Sequence, residues 1–165
     1  MTRKRMDVVT IRDATAEDVP LVRKLFEEYS GSLGIDLSFQ DFQRELETLP
    51  GKYAPPEGAV LIASHDGQPC GCVALRKIDA QACEMKRLYV QPAKRGLGMG
   101  RLLVTAILEE ARLKGYRVMR LDTLCSMKSA VALYRTFGFR EISPYIFNPI
   151  EGALFMEKIL TASGR

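Results

Sequence analysis

The sequence predicts an α/β domain built on a central mixed, mostly antiparallel twisted sheet flanked by about four helices. Three observations carry that expectation. Two β-prone apolar runs, Ala59 to Ser64 and Cys70 to Arg76, are joined by His65-Asp66-Gly67-Gln68-Pro69, which reads as an antiparallel hairpin. A strand-like run from Ala82 to Val90, a glycine-rich turn, a helix-patterned run and a second strand-like run from Arg117 to Leu124 then follow in succession. A strand–helix–strand unit of that length implies one parallel pair. At 165 residues and 18.5 kDa, with 47% apolar residues, the chain suits one sizeable core and a single domain.

The elements follow in order. Residues 1–6 form a basic amino-terminal tail, and the domain is expected over 7–161, opening with a strand from Asp7 to Arg12. Thr15, with Glu17 and Asp18 behind it, predicts the N-cap of a helix whose apolar positions Val19, Leu21, Val22, Leu25 and Phe26 recur at helical spacing as far as Tyr29 to Gly34. Ser38 opens a shorter helix with Phe39, Phe42 and Leu46 on one face, and the stretch from Pro50-Gly51 to Pro55-Pro56 is expected to be the least ordered loop. After the hairpin, Met85, Arg87 and Tyr89 alternate with Glu84, Lys86, Leu88 and Val90 until Gln91-Pro92 ends the strand. Leu102, Leu103, Ala106, Ile107 and Ala111 make an apolar stripe from Gly98 to Lys114, closed by Gly115. Beyond the next strand, Ser126 is expected to cap a helix running to Phe137 and closed by Gly138. Strands near Phe139 to Ile142 and Ala153 to Leu160 complete the sheet.

The run Lys94-Arg95-Gly96-Leu97-Gly98-Met99-Gly100-Arg101 sits where a strand hands over to a helix. Glycines there let the backbone turn tightly, and the first free N–H groups of the helix point at its positive end, so on spacing alone the run reads either as a tight strand-to-helix connection or as an anion cradle suited to phosphate. A nucleoside-triphosphate loop is excluded, since the last glycine is followed by Arg101 and Leu102 rather than Lys and a hydroxyl residue. A G-x-G-x-G spacing far from the first strand also departs from the dinucleotide fingerprint. Three cations so close together repel one another unless solvent or an anion lies between them.

Arg95-Gly96-Leu97-Gly98-Met99-Gly100 resembles the pyrophosphate-binding pattern of the GNAT superfamily of acyl-CoA-dependent N-acyltransferases, read on Arg95, Gly98 and Gly100. Ala130-Val131-Ala132-Leu133-Tyr134-Arg135-Thr136-Phe137-Gly138-Phe139 is similar to that family's later A-x-x-L-Y-x-x-x-G-F segment. The resemblance implies a GNAT-like domain whose parallel strand pair splays around acetyl-CoA, the co-substrate. Cofactor contacts are implied at Leu88, Tyr89 and Val90, whose strand would offer backbone N–H groups to the thioester, and along the cradle at Arg95, Gly96, Leu97, Gly98, Met99, Gly100 and Arg101. The family often carries Asn where this chain has Met127, so a bond to the pantetheine arm must come from Ser126, Ser129 or backbone, or be missing.

The same resemblance assigns catalytic roles. Tyr134 matches the tyrosine that protonates the departing CoA thiolate, and Glu84 stands where some relatives carry a carboxylate that takes the amine proton, directly or through water. On residue type alone, Tyr134 is equally a packing tyrosine beside Phe137 and Phe139, and Glu84 a solvated strand-face acid. Cys125 lacks a recognisable histidine partner, which favours direct acetyl transfer in a ternary complex over a covalent acyl carrier. The implied acceptor is a primary amine of a small molecule or peptide, met by Glu27, Glu28 and Tyr29, by the second helix, and by Tyr145-Ile146-Phe147-Asn148. The alternative is a catalytically silent acyl-CoA-binding sensor or scaffold. A homodimer is compatible with either.

Composition narrows the remaining classes. A net charge of +4 and a pI near 8.9, with acids and bases interspersed, fall short of a nucleic-acid-binding face. No hydrophobic signal core follows Thr2-Arg3-Lys4-Arg5, so no membrane segment is expected and the location is read as cytoplasmic. Cys70, Cys72, Cys83 and Cys125 lack C-x-x-C spacing, and with one histidine no metal site is expected; reduced, mostly buried thiols are.

Overall fold

Both faces of one seven-stranded sheet are covered in the computed structural model, which describes residues 8–161. The expected tail and Asp7 lie outside the described residues. Strands β1 (Val9–Asp13), β2 (Ala59–His65), β3 (Gln68–Lys77), β4 (Ala82–Val90), β5 (Val118–Leu124), β6 (Arg140–Ile142) and β7 (Ala153–Ile159) lie in the order β1-β2-β3-β4-β5-β7-β6. Every neighbouring pair is antiparallel except β4 and β5. Helices α1 (Val19–Leu33), α2 (Phe42–Glu47), α3 (Met99–Leu113) and α4 (Lys128–Thr136) supply the two outer layers.

Strand β2 explains why two cores form. Ala59, Leu61 and Ala63 point to the larger core, shared with Leu103, Ile107 and Tyr134 of α3 and α4; Val60 and Ile62 point to a second, shared with Leu25 and Phe26 of α1. Successive side chains of a strand alternate faces, so a continuous apolar run requires cover on both sides. The β2–β3 turn places Asp66 and Gly67 at φ 49° and 80°, the two left-handed residues a tight hairpin needs.

Several local expectations are corrected. Thr15 precedes a 3₁₀ turn over Ala16–Asp18 rather than α1 itself, and the Asp18 carboxylate accepts the Thr15 N–H at 2.7 Å. The second helix is broken into a 3₁₀ turn, Ser38–Gln40, and α2, because Asp41 sits at φ 55° between them. The Pro50 to Pro56 stretch is not loose: Tyr53 is buried in the second core, its hydroxyl donates to Glu45, and a Cβ on Gly58 would fall 2.6 Å from the Tyr53 backbone. Ser126 does not cap α4, which starts two residues later with Met127 at its N-cap and no side-chain cap.

The alternation expected along β4 fails at one point with functional consequences. Cys83 and Met85 face the larger core, yet so do Leu88 and Val90, so the pleat slips by one residue between them. Arg87 takes a left-handed φ of 59°, and the β3–β4 register jumps between Cys72↔Tyr89 and Ala74↔Lys86. This is a β-bulge, the device that re-aims side chains and backbone groups within a strand.

Candidate active site

The parallel pairing of β4 and β5 runs only from Ala82↔Val118 to Glu84↔Arg120. Beyond Glu84 the two strands separate, and a cleft opens between them, lined among others by Leu88, Lys86, Asp122, Thr123, Met127 and Tyr134. The bulge turns Leu88 toward this cleft. Residues of the α1–α2 connection, Ile35, Leu37 and Phe39, close its far wall.

Tyr134 comes from α4 and is buried, its ring edge-on to Phe139 at 5.8 Å between centroids. Its hydroxyl has no hydrogen-bond partner among the described residues. Burial, with smaller contributions from Tyr29 and Asp122, raises its pKa above the ordinary tyrosine value, so the phenol holds its proton at neutral pH.

The glycine turn stands at the open end of the splay. Gly96 and Gly98 adopt φ of 85° and 79°, and no atom lies within 4 Å of a Cβ added at either, so backbone conformation and not crowding calls for glycine. Gly98 is the N-cap of α3 and leaves the first N–H groups of the helix without a side-chain cap. Leu97, Arg95 and Arg101 are exposed around it, whereas Met99 is buried in the larger core. Arg95 folds back to donate to the Val90 carbonyl at 3.1 Å, Lys94 meets His65 Nδ1 at 3.0 Å, and the Arg101 guanidinium lies 5.2 Å from the Phe137 ring centre. Ser126 and Ser129 are exposed at the start of α4, and Tyr89 turns its side chain to the second core against Tyr29.

Glu84 is not solvated. Its side chain is 1% exposed, and it accepts Arg76 Nε at 2.7 Å and the Tyr145 hydroxyl at 2.5 Å, outside the cleft lining. It reaches the cleft only through Lys86, whose ammonium is 3.8 Å from Glu84 and 3.4 Å from Asp122. Asp122, 6% exposed at its side chain, is the carboxylate that lines the cleft, and Asn148 donates to its second oxygen at 3.0 Å. Burial pulls the Lys86 ammonium below its ordinary pKa against the opposing pull of Glu84 and Asp122. Arg87 forms two parallel bonds to Glu45, at 2.9 and 3.1 Å, and one to Gln40 at 2.9 Å.

The structure thus brings together Leu88, Tyr134, Tyr29 and Asn148 of the anticipated residues, and leaves Glu27 exposed and Glu28 bonded to Gln91. Asp122 escaped notice in the sequence. Its one signal is a charge on β5, a strand whose alternate residues Met119, Leu121 and Thr123 are buried. Among the described residues, no cluster of three or more potential metal ligands occurs, and no helix is long and apolar enough to cross a membrane.

Comparison with known proteins agrees with this geometry. A family model described as Acetyltransferase (GNAT) family matches residues 21–139. An uncharacterized N-acetyltransferase of Schizosaccharomyces pombe is 42% identical over 142 residues, 85% of this chain and 87% of that one. The crystal structure of a GNAT-family acetyltransferase from Staphylococcus aureus shares the fold at a TM-score of 0.78 and 20% identity, over 93% of this chain and 100% of that one. A Salmonella typhimurium structure determined with its cofactor acetyl-CoA matches at a TM-score of 0.65 and 22% identity, over 95% of this chain and 96% of that one. On the family match and the relative from fission yeast, the chain is an N-acetyltransferase and belongs to the GNAT family.

Proposed function

We propose that the protein transfers an acetyl group from acetyl-CoA to a primary amine of a small molecule or peptide, directly and within a ternary complex. The observation that carries this reading is the splay of β4 from β5, which gathers Leu88, Asp122 and Tyr134 around one cleft. The residues present fit the co-substrate: left-handed Gly96 and Gly98 open a concave turn onto uncapped N–H groups of α3, with Arg95 and Arg101 beside it to hold a diphosphate. Backbone N–H groups of Leu88 and Val90 would meet the pantetheine and carbonyl, and Ser126 and Ser129, exposed at the start of α4, would bond that arm. Acetyl-CoA supplies the acyl group already activated as a thioester.

Asp122 accepts the amine proton, and Glu84 supports it at one remove through Lys86. Tyr134 gives its proton to the departing sulfur. Burial makes the phenol a weaker acid, but the same low-dielectric surroundings make a thiolate a stronger base, so the match is preserved. Cys125 is exposed and outside the cleft lining, in keeping with direct transfer. Buried free Cys70, Cys72 and Cys83 suit a reducing compartment such as the cytoplasm.

Thermal unfolding with acetyl-CoA, followed by thiol release over a panel of amines, tests this reading. Ligand at a hundred times its Kd should add about 2.7 kcal/mol, and some amine should release thiol. Stabilisation without release from any amine would make the chain a silent acyl-CoA-binding module.

A further inference from the structure

We infer that the acceptor is a free amino acid with an apolar side chain, its ammonium set against Asp122, its carboxylate against Gln40, Lys86 and Arg87, and its side chain against Ile35, Leu37 and Phe39. This rests on the acetyltransferase reading and names the acceptor for the same cleft.

Unspent hydrogen-bonding capacity at the cleft points to a carboxylate. The Gln40 carbonyl oxygen accepts from both Lys86, at 3.2 Å, and Arg87, at 2.9 Å, which leaves both amide N–H groups of Gln40 as donors without a partner among the described residues. Arg87 has five N–H donors, three of them used on Glu45 and Gln40 and another engaged by the Tyr29 hydroxyl, which leaves one. Lys86 has three, of which Gln40 and Asp122 take two, and the remaining contact with Glu84 at 3.8 Å is beyond hydrogen-bond reach. Three neighbouring groups therefore offer donors and no free acceptor.

Across the cleft the capacity is reversed. Each Asp122 oxygen accepts one bond, from Lys86 and from Asn148, and a carboxylate has about four acceptor positions, so room remains for an ammonium.

Charge balance favours a zwitterion over a simple ammonium. Ion pairs link Arg76, Glu84, Lys86 and Asp122, and the Arg87–Glu45 pair joins them through Gln40, so the network holds three groups of each sign. An isolated cation or anion added here would leave a net charge in a buried setting, which is costly, whereas a zwitterion adds none and meets both signs. A peptide amino terminus has no adjacent carboxylate and leaves the Gln40 corner unfilled. The apolar wall contributed by the α1–α2 connection then accounts for the side chain.

Thiol release by the full chain with acetyl-CoA should be compared across leucine, methionine and phenylalanine, each beside its carboxamide and its decarboxylated amine, with rate constants referred to free base. At least one amino acid should exceed both of its analogues in kcat/KM by about tenfold or more, the loss expected when charge-assisted bonds to a carboxylate are removed. Gln40→Glu is nearly isosteric and still pairs with both cations, but sets an anion where the carboxylate would lie. It should raise KM for that amino acid by about tenfold or more and abolish its advantage over the amine. Analogues used as well as the amino acids, or an advantage untouched by Gln40→Glu, would overturn the inference while leaving the acetyltransferase reading intact. Thiol release from no amine of any kind would overturn that reading as well.

Discussion

The Tyr134 hydroxyl has no partner among the described residues, so its replacement breaks no hydrogen bond there and isolates one proton. Tyr134→Phe keeps the ring against Phe139 and should lower kcat by about 100-fold while KM for acetyl-CoA changes less than about twofold. Steady-state kinetics with both substrates varied would show this; unchanged turnover would remove Tyr134 as the acid. Because burial raises its pKa, the phenol should impose no falling alkaline limb on kcat below about pH 10. The two carboxylates can be separated in the same way. Asp122→Asn should lower kcat by about 100-fold, whereas Glu84→Gln, which leaves Arg76 without its charge partner and Lys86 with Asp122 alone, should mainly lower the melting temperature. If Glu84→Gln alone lowers kcat to that extent, the assignment is reversed.

Strand β4 is the element on which the site depends, and its bulge is tied to the opposite layer by one clamp. Arg87, left-handed and 3% exposed, bonds Glu45 of α2 through two nitrogens and lies 5.0 Å from the Phe42 ring centre and 5.6 Å from that of Tyr29. Glu45→Ala leaves a buried guanidinium without its anion and should cost about 3–5 kcal/mol, against a smaller loss for Glu45→Gln, as read from urea unfolding. Equal losses would mean that packing, and not charge pairing, holds the clamp. Elements with periodic patterns were legible in the sequence: the stripe through Leu103, Ile107 and Ala111 located α3, and Asp66-Gly67 marked the hairpin. The bulge was not, because an arginine in left-handed conformation carries none of the signal a glycine would, and one slipped residue reverses every face assignment after it. Asp122 and Gln40 were hidden for a related reason. Their roles arise from pairing across the sheet, and nothing local distinguishes them from ordinary polar residues.

At the scale of the molecule, the hairpin and the strand–helix–strand unit sufficed to anticipate a mixed sheet with one parallel pair, since each is a local consequence of chain direction and turn chemistry, whereas the splay was expected from the family resemblance alone. The insertion of β7 between β5 and β6 depends on non-local pairing that no local pattern encodes. The same two-sided burial sets the response of the whole fold to alkali. Burial, together with nearby carboxylates, holds the Tyr53 and Tyr145 phenols above their ordinary pKa; Tyr134 and the Cys72 thiol are likewise raised chiefly by burial, and Cys83 is pushed up to about 12. Each of these groups keeps its proton when folded and loses it sooner when unfolded, so its contribution is fully present below the unfolded value and falls as pH rises toward the folded one. The loss is about 1.4 kcal/mol per group per pH unit. Lys86 acts in the opposite sense, since its lowered pKa means the unfolded state binds the extra proton, but it is one group against five. Stability should therefore begin to fall above about pH 8.5 as unfolded thiols ionise, and more steeply above about pH 10 as tyrosines follow. Urea midpoints at pH 7, 9 and 10.5 would trace this curve, and a midpoint that held steady to pH 10.5 would mean that these phenols and thiols are solvated in the folded protein.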